Sequence, residues 1–447
     1  MTPLNQILYN MKNKNLLIFL PLLTLFLNCS EEEPVVEYVT VTETVTVTET
    51  NTVEVDPFAD STLEGNITED TTLDASKIWL IKGRVAVEDG VTLTIPAGTI
   101  IKAASGTGAD ASTLIVARGG TMIANGTADK PIIMTAVADN IQVGGTYPDS
   151  GPALNVDTRG LWGGLLILGK APSSFKSDVT ELQIEGIPTS DTNGLYGGSI
   201  ADDNSGSFQY ISIRHGGAEI GEGNEINGLT LGGVGSGTTI NHIEVLGNVD
   251  DGIEFFGGTV NATNLLVWGQ GDDAIDIDQA YAGTIDGALV VLTSASDHGF
   301  EIDGPEGSAP GRFTLKNATV IGATDDCEAE GVDGEMADFR KGATGDVLNI
   351  LFKDFAGGKD VELDASADAA TYTARTLTFA NIDVLHPVDD DGNLCSDVET
   401  VNKIFDDRSD ESSFESDANT FAEVVTEQQD GNGLSDESIF SWTFYKR

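Results

Sequence analysis

Three short segments hold the residue types best suited to chemistry. Asp250-Asp251-Gly252-Ile253-Glu254-Phe255-Phe256 is followed 22 residues later by Asp272-Asp273-Ala274-Ile275-Asp276-Ile277-Asp278. Another 25 residues on comes Asp297-His298-Gly299-Phe300-Glu301-Ile302-Asp303. Carboxylates in pairs beside a histidine are the groups that acid–base catalysis needs, and two of them flanking a glycosidic bond can hydrolyse it. The catalytic candidates are therefore Asp251, Asp272, Asp273 and His298. The same oxygens suit a hard divalent cation such as Ca2+, which takes six to eight oxygen ligands. The candidate ligands are Asp250, Asp251, Glu254, Asp272, Asp273, Asp276, Asp278, Asp297, Glu301 and Asp303.

A repeat of this length, with a second strand theme between the copies, is the period of a coil. Ile240-Asn241-His242-Ile243-Glu244-Val245-Leu246 and Ile285-Asp286-Gly287-Ala288-Leu289-Val290-Val291 are examples of that theme. Stacked coils put Asp250, Asp272 and Asp297 in one column and Asp251, Asp273 and His298 in the next. Glu254, Asp276 and Glu301 form a third, and Asp278 and Asp303 extend a fourth. Within each segment the apolar residues alternate with acids, so the apolar set faces inward and the carboxylates line one outer face. Carboxylates one strand spacing apart (~4.8 Å) repel, and a cation or shared proton would relieve them. Calcium and a plain solvated face both satisfy the pattern. No Gly-Gly-x-Gly-x-Asp nonapeptide or complete EF-hand loop occurs, although Asp389-Asp390-Asp391-Gly392-Asn393 has a fragment of the latter.

The charge balance, 23 basic against 72 acidic residues for a net −49, excludes nucleic acid as a partner, because phosphate binding needs a basic footprint. From residue 57 onward, short Val/Ile/Leu/Thr runs alternate with Gly, Asn and Asp clusters and no segment keeps a helical period. These features predict one all-β domain, a parallel β-helix over residues 57–447. A loop-rich insert is expected near 138–206, and Trp442-Thr443-Phe444-Tyr445 is expected to cap the last coil.

The N-terminus reads as an address. Basic residues after Met11 precede an apolar run, Leu16 to Leu27, of twelve residues. That is a signal peptide over residues 1–28 and too short for a membrane span, which needs ~20. The true start could be Met11. Leu25-Phe26-Leu27-Asn28-Cys29 resembles a lipobox, in which Cys29 is acylated and inserts into membrane lipid. Ser30-Glu31-Glu32-Glu33 is similar to the acidic signal that sends Bacteroidetes-type lipoproteins to the outer face of the outer membrane; a periplasmic orientation is the alternative. Residues 29–56 add a Val/Thr/Glu spacer. In an exported chain Cys327 and Cys395 could form a disulfide, closing a loop of about 68 residues, or stay as two free thiols.

Gly119-Gly120-Thr121-Met122-Ile123-Ala124-Asn125-Gly126, Trp162-Gly163-Gly164-Leu165-Leu166-Ile167-Leu168-Gly169, Ser212-Ile213-Arg214-His215-Gly216-Gly217 and Phe339-Arg340-Lys341-Gly342-Ala343-Thr344-Gly345-Asp346 resemble a family of largely uncharacterised Bacteroidetes-type surface lipoproteins. The resemblance implies a pectin-lyase-like right-handed parallel β-helix and a compartment, but no reaction. Two readings follow. One is a non-catalytic surface lipoprotein that displays an acidic β-helix for adhesion, ligand or glycan binding, or envelope architecture. The other is a polysaccharide hydrolase or lyase working on the acidic face, with Arg214-His215 on an earlier coil. The Arg-x-Lys of β-helix polygalacturonases is missing, and Arg340-Lys341 is only a loose substitute, so Arg214 and Arg340 are expected to serve as ion-pair partners.

Overall fold

The computed structural model describes residues 58–144, 154–219, 226–324, 334–355, 359–388, 400–428 and 431–445. The signal peptide, Cys29, the spacer, Cys327, Cys395 and the Asp389–Asn393 fragment lie outside the described residues.

Short strands with inward apolar residues can bury one face only by stacking on a neighbouring copy, and this chain does so throughout. A single 24-stranded sheet winds round the coil, and its strand pairings are parallel. An antiparallel pair, Leu182–Gln183 with Leu195–Tyr196, stands apart from it. Each coil contributes to three columns of strands. One column runs through Leu165–Leu168, Leu229–Gly232, Ile253–Phe256, Ile275–Asp278, His298–Asp303, Glu335–Arg340, Val361–Leu363 and Phe405–Asp407. Its inward residues, among them Ile253, Ile275, Phe300 and Phe255, Ile277, Ile302, join one continuous core. At Gly252 an added Cβ would lie 2.3 Å from Val267 Cγ1, so the turn entering this strand has no room for a side chain.

The other two columns share long strands that bend where the coil turns, for example Thr239–Leu246, Asn261–Trp268, Phe313–Ile321 and Gly345–Lys353. The bend falls on a residue with positive φ: Asn264, Asn317, Asn349 and Asn381 all sit between 57° and 58°. Asparagine tolerates that region better than other side chains. Its amides also link coil to coil: Asn349 Nδ2 donates to Asn317 Oδ1 and Asn381 Nδ2 to Asn349 Oδ1, both at 2.8 Å.

Two sequence expectations change. The 138–206 region is not insert throughout, because Leu165–Leu168 is a regular strand of the coil. Trp442 does not cap the end. It packs edge-on against Tyr210 and near His242 on the flank of the middle coils, while Leu434 and Phe440 cover Leu266, Leu289 and Ile321. The end is closed instead by the short helices Ser366–Thr373, Val401–Ile404 and Phe414–Asp417, with Phe405, Phe414 and Phe421 in mutual contact and Phe379 packed on Phe414 and Phe421. Apolar residues separated in sequence can cover a flank as readily as an end, so pattern alone could not choose. Among the described residues no helix is long and apolar enough to cross a membrane.

Candidate functional site

Register builds the acidic row directly. Glu254 pairs with Asp276, Asp276 with Glu301, Glu301 with Asp338, Asp338 with Glu362, and Glu362 with Asp406. The three carboxylates expected from sequence are thus half of a longer row. Asp338, Glu362 and Asp406 were missed because intervening loops stretch the later coils and destroy the even spacing. The retrievable signal was an acid between inward residues, as in Ala337-Asp338-Phe339 and Val361-Glu362-Leu363.

The catalytic candidates are placed differently from one another. Asp251 and Asp273 stand at the turn entering the strand, and both are buried. Asp251 Oδ1 accepts the backbone N–H of Asp273 at 3.0 Å. Asp273 Oδ1 accepts the backbone N–H of His298 at 2.8 Å and its ring Nδ1–H at 2.8 Å. Each carboxylate therefore staples its own coil to the next. Asp272 and Asp297 are exposed and Asp250 is half-buried. Burial alone would lower the pKa of His298, but the Asp273 hydrogen bond, with Asp273, Asp297 and Asp338 nearby, pushes it up to about 9. The ring is an imidazolium at neutral pH.

Deeper in the row, oxygens of Asp251, Glu254 and Asp276 lie within 4.8 Å of one another. Oxygens of Asp250, Asp251 and Asp272 and of Glu335, Asp360 and Glu362 are as close, as are oxygens of Asp273 and Asp297 with a ring nitrogen of His298. Burial first, then mutual repulsion, drives the carboxyls of Asp251, Glu254 and Asp276 well above the ordinary range. Partial desolvation and the nearby charges of Asp273 and Asp297 raise Asp272 to about 6, and burial raises Asp278 and Asp338 to about 7. Asp276 Oδ1 and Asp338 Oδ1 are buried without a hydrogen-bond partner. An oxygen-only cluster that is crowded, reluctant to ionise and incompletely hydrogen-bonded fits a hard divalent cation.

The row is not uniform. Arg340 pairs with Glu301 and Asp303, Lys341 with Asp303, and Arg408 with Glu362. Among the described residues no basic side chain pairs with Asp251, Glu254 or Asp276; Glu254 accepts from Asn227 Nδ2. The other sequence candidates lie elsewhere. Arg214 is buried in a neighbouring column, where its Nε donates to Ser212 Oγ at 2.8 Å and Asp139 lies 3.8 Å away. His215 is buried against the carbonyl of Thr158, and burial lowers its pKa, keeping it neutral. Neither Arg214 nor His215 joins the acidic row.

No curated protein and no solved structure matches this chain. The profile of the pectate-lyase-like beta helix domain matches residues 65–443, nearly all of the coil described above. With its strands stacked in parallel round one core, the chain belongs to the pectate-lyase-like beta helix domain family, whose architecture is a right-handed parallel β-helix.

Proposed function

We propose that this chain is a non-catalytic surface lipoprotein whose acidic row takes up calcium and presents it, on a rigid coil, to a ligand such as a glycan. One observation carries the non-catalytic part. Asp251 and Asp273, which a hydrolase would need facing substrate, are buried and committed to backbone N–H groups of the following coil. A carboxylate that closes a structural hydrogen bond is unavailable to shuttle a proton without breaking it. The crowded oxygens of Asp251, Glu254 and Asp276 support the cation, and Cys29 followed by Ser30-Glu31-Glu32-Glu33 supports acylation and export to the outer face of the outer membrane. Adhesion, ligand capture and envelope architecture are all roles such a display serves.

The test is turnover. Purified protein should release no product from pectic, xylan or mannan polysaccharides. Measurable cleavage that Asp273→Asn abolishes while the fold stays intact would overturn the reading. Antibody labelling should reach the protein on intact cells, and signal only after permeabilisation would place it in the periplasm.

A second reading, a polysaccharide hydrolase or lyase, has one observation in its favour. Asp272 is exposed, holds its proton to about pH 6, and lies close to the protonated His298. An acid in that range could protonate a leaving group. Asp272→Asn discriminates, since a binding protein loses no turnover by it.

A further inference from the structure

We propose that the C-terminal end of the coil carries a second cleft, separate from the acidic row, that binds a neutral oligosaccharide. Two hollows of about 380 Å³ and about 370 Å³ adjoin there and share Phe379, Thr420 and Phe421. Each lies in the size range of a small-ligand pocket. Closing the coil accounts for the buried Phe405 and Phe414. Tyr372 and Phe421 pack on that cluster from one side and stay half-exposed on the other, beneath an open, polar rim.

The three rings bordering the hollows touch one another. Centroids are 6.3 Å apart for Tyr372 and Phe379, 5.5 Å for Phe379 and Phe421, and 6.5 Å for Tyr372 and Phe421. Phe379 and Phe421 are inclined by 31°, Tyr372 is turned 50° and 65° from them, and Phe379 is buried, so Tyr372 and Phe421 are the rings that a ligand can reach. One half-exposed ring is enough to stack on the C–H face of a pyranose.

The rim supplies planar polar groups that read pairs of hydroxyls. Asp417 is held in place by the Tyr372 hydroxyl at 3.3 Å and by Ser413 Oγ at 2.6 Å. Arg375 is exposed at one end of the cleft; at the other stand Asn381 and Asn419, whose Nδ2 groups donate within the chain and whose amide oxygens are left to accept from hydroxyls. Asp417, Asp383 and Glu423 at the border, on a chain of net charge −49, disfavour an anionic sugar or a nucleotide.

The experiment titrates the full chain with cellohexaose, xylohexaose, mannohexaose and chitohexaose by calorimetry, first with a calcium chelator present so that the acidic row cannot contribute and then with calcium restored. At least one should bind. Thr420→Trp, which fills the junction from an exposed position, should weaken that binding at least tenfold at an unchanged melting temperature; Tyr372→Leu should weaken it as much but also lower the melting temperature, because the ring packs on Phe379 and Phe414. If none of the four binds, if binding appears only when calcium is restored, or if Thr420→Trp leaves the affinity intact, the cleft is not a sugar site. Those outcomes leave the calcium reading of the acidic row untouched.

Discussion

One column of outward positions runs through two different environments. Ile115 is followed by Leu166, then Thr230, then Glu254, Asp276 and Glu301, each one strand further along. The apolar half is roofed by the chain between residues 171 and 198: Phe175, Ile184, Ile187 and Tyr196 pack on Ile115, Leu166, Leu168 and Phe256. Gly232 makes room for that roof, since a Cβ there would approach the Tyr196 ring to 3.0 Å. Beyond Phe256 the column turns acidic. Inward positions stay apolar throughout, so the coil itself is indifferent to what its outer face carries. Outward residues are set by what covers them: Leu166 meets the apolar roof, whereas Asp276 and Asp338 bury carboxylate oxygens that have no hydrogen-bond partner.

Exchanging the two chemistries should break the comparison most severely. Leu166→Asp would put an unpaired charge under the roof and should cost roughly 4 kcal/mol or more, read by chemical denaturation. Similar stability to wild type would mean that the roof is loosely held.

The acidic half should respond to cation and pH where the apolar half does not. With chelator present, the melting temperature should fall as pH rises from about 4 to about 8. Asp278 and Asp338 release their protons near 7 in the fold, against ~3.9 when unfolded. The folded state therefore holds the extra protons between those values, and its stability falls across that window. Calcium at one hundred times its dissociation constant should restore about 2.7 kcal/mol at pH 7.5. Asp276→Leu should remove that response, and in chelator it should match or exceed wild type, because a buried carboxylate oxygen without a partner disappears. A calcium-insensitive melt in wild type would mean the row is occupied by water.

His298 sharpens the boundary between staple and site. Its folded pKa of about 9 lies above the unfolded value near ~6.5, so its contribution is complete below pH 6.5 and lost as pH rises through 9. His298→Gln should cost about 2 kcal/mol at pH 6 and little at pH 10, by denaturation at the two pH values. The smallest effect should come from Asp251→Asn, which keeps an oxygen for the Asp273 N–H and relieves repulsion; a change under about 1 kcal/mol is expected, against about 1–3 for Asp251→Ala. Equal losses for the two would remove the stapling role.

Much of this was legible without coordinates, and for a definable reason. Ile253, Phe255, Ile275 and Ile277 alternate with acids, and a period-two pattern repeated at a coil length admits few arrangements. The same pattern stacks Asp251, Asp273 and His298, which hydrogen bonds link from coil to coil. Their role as backbone acceptors was not readable, since a carboxylate that caps a turn and one that faces substrate share the same letter. Asp338, Glu362 and Asp406 escaped because register follows the sheet's hydrogen bonds and ignores the length of the loops between strands.

From its order of residues alone, the chain determined a parallel coil, an apolar interior and an acid-rich outer face, because alternation and repeat length act through local geometry. Only the tertiary structure decided which acids are buried, which of them leave an oxygen without a partner, and where the roof over the outer face ends. Those depend on segments distant in sequence, such as Tyr196 over Gly232 and Trp442 against Tyr210, meeting in space. Burial and repulsion act between neighbours in space, and the acidic row acquired its properties only once the coils were stacked.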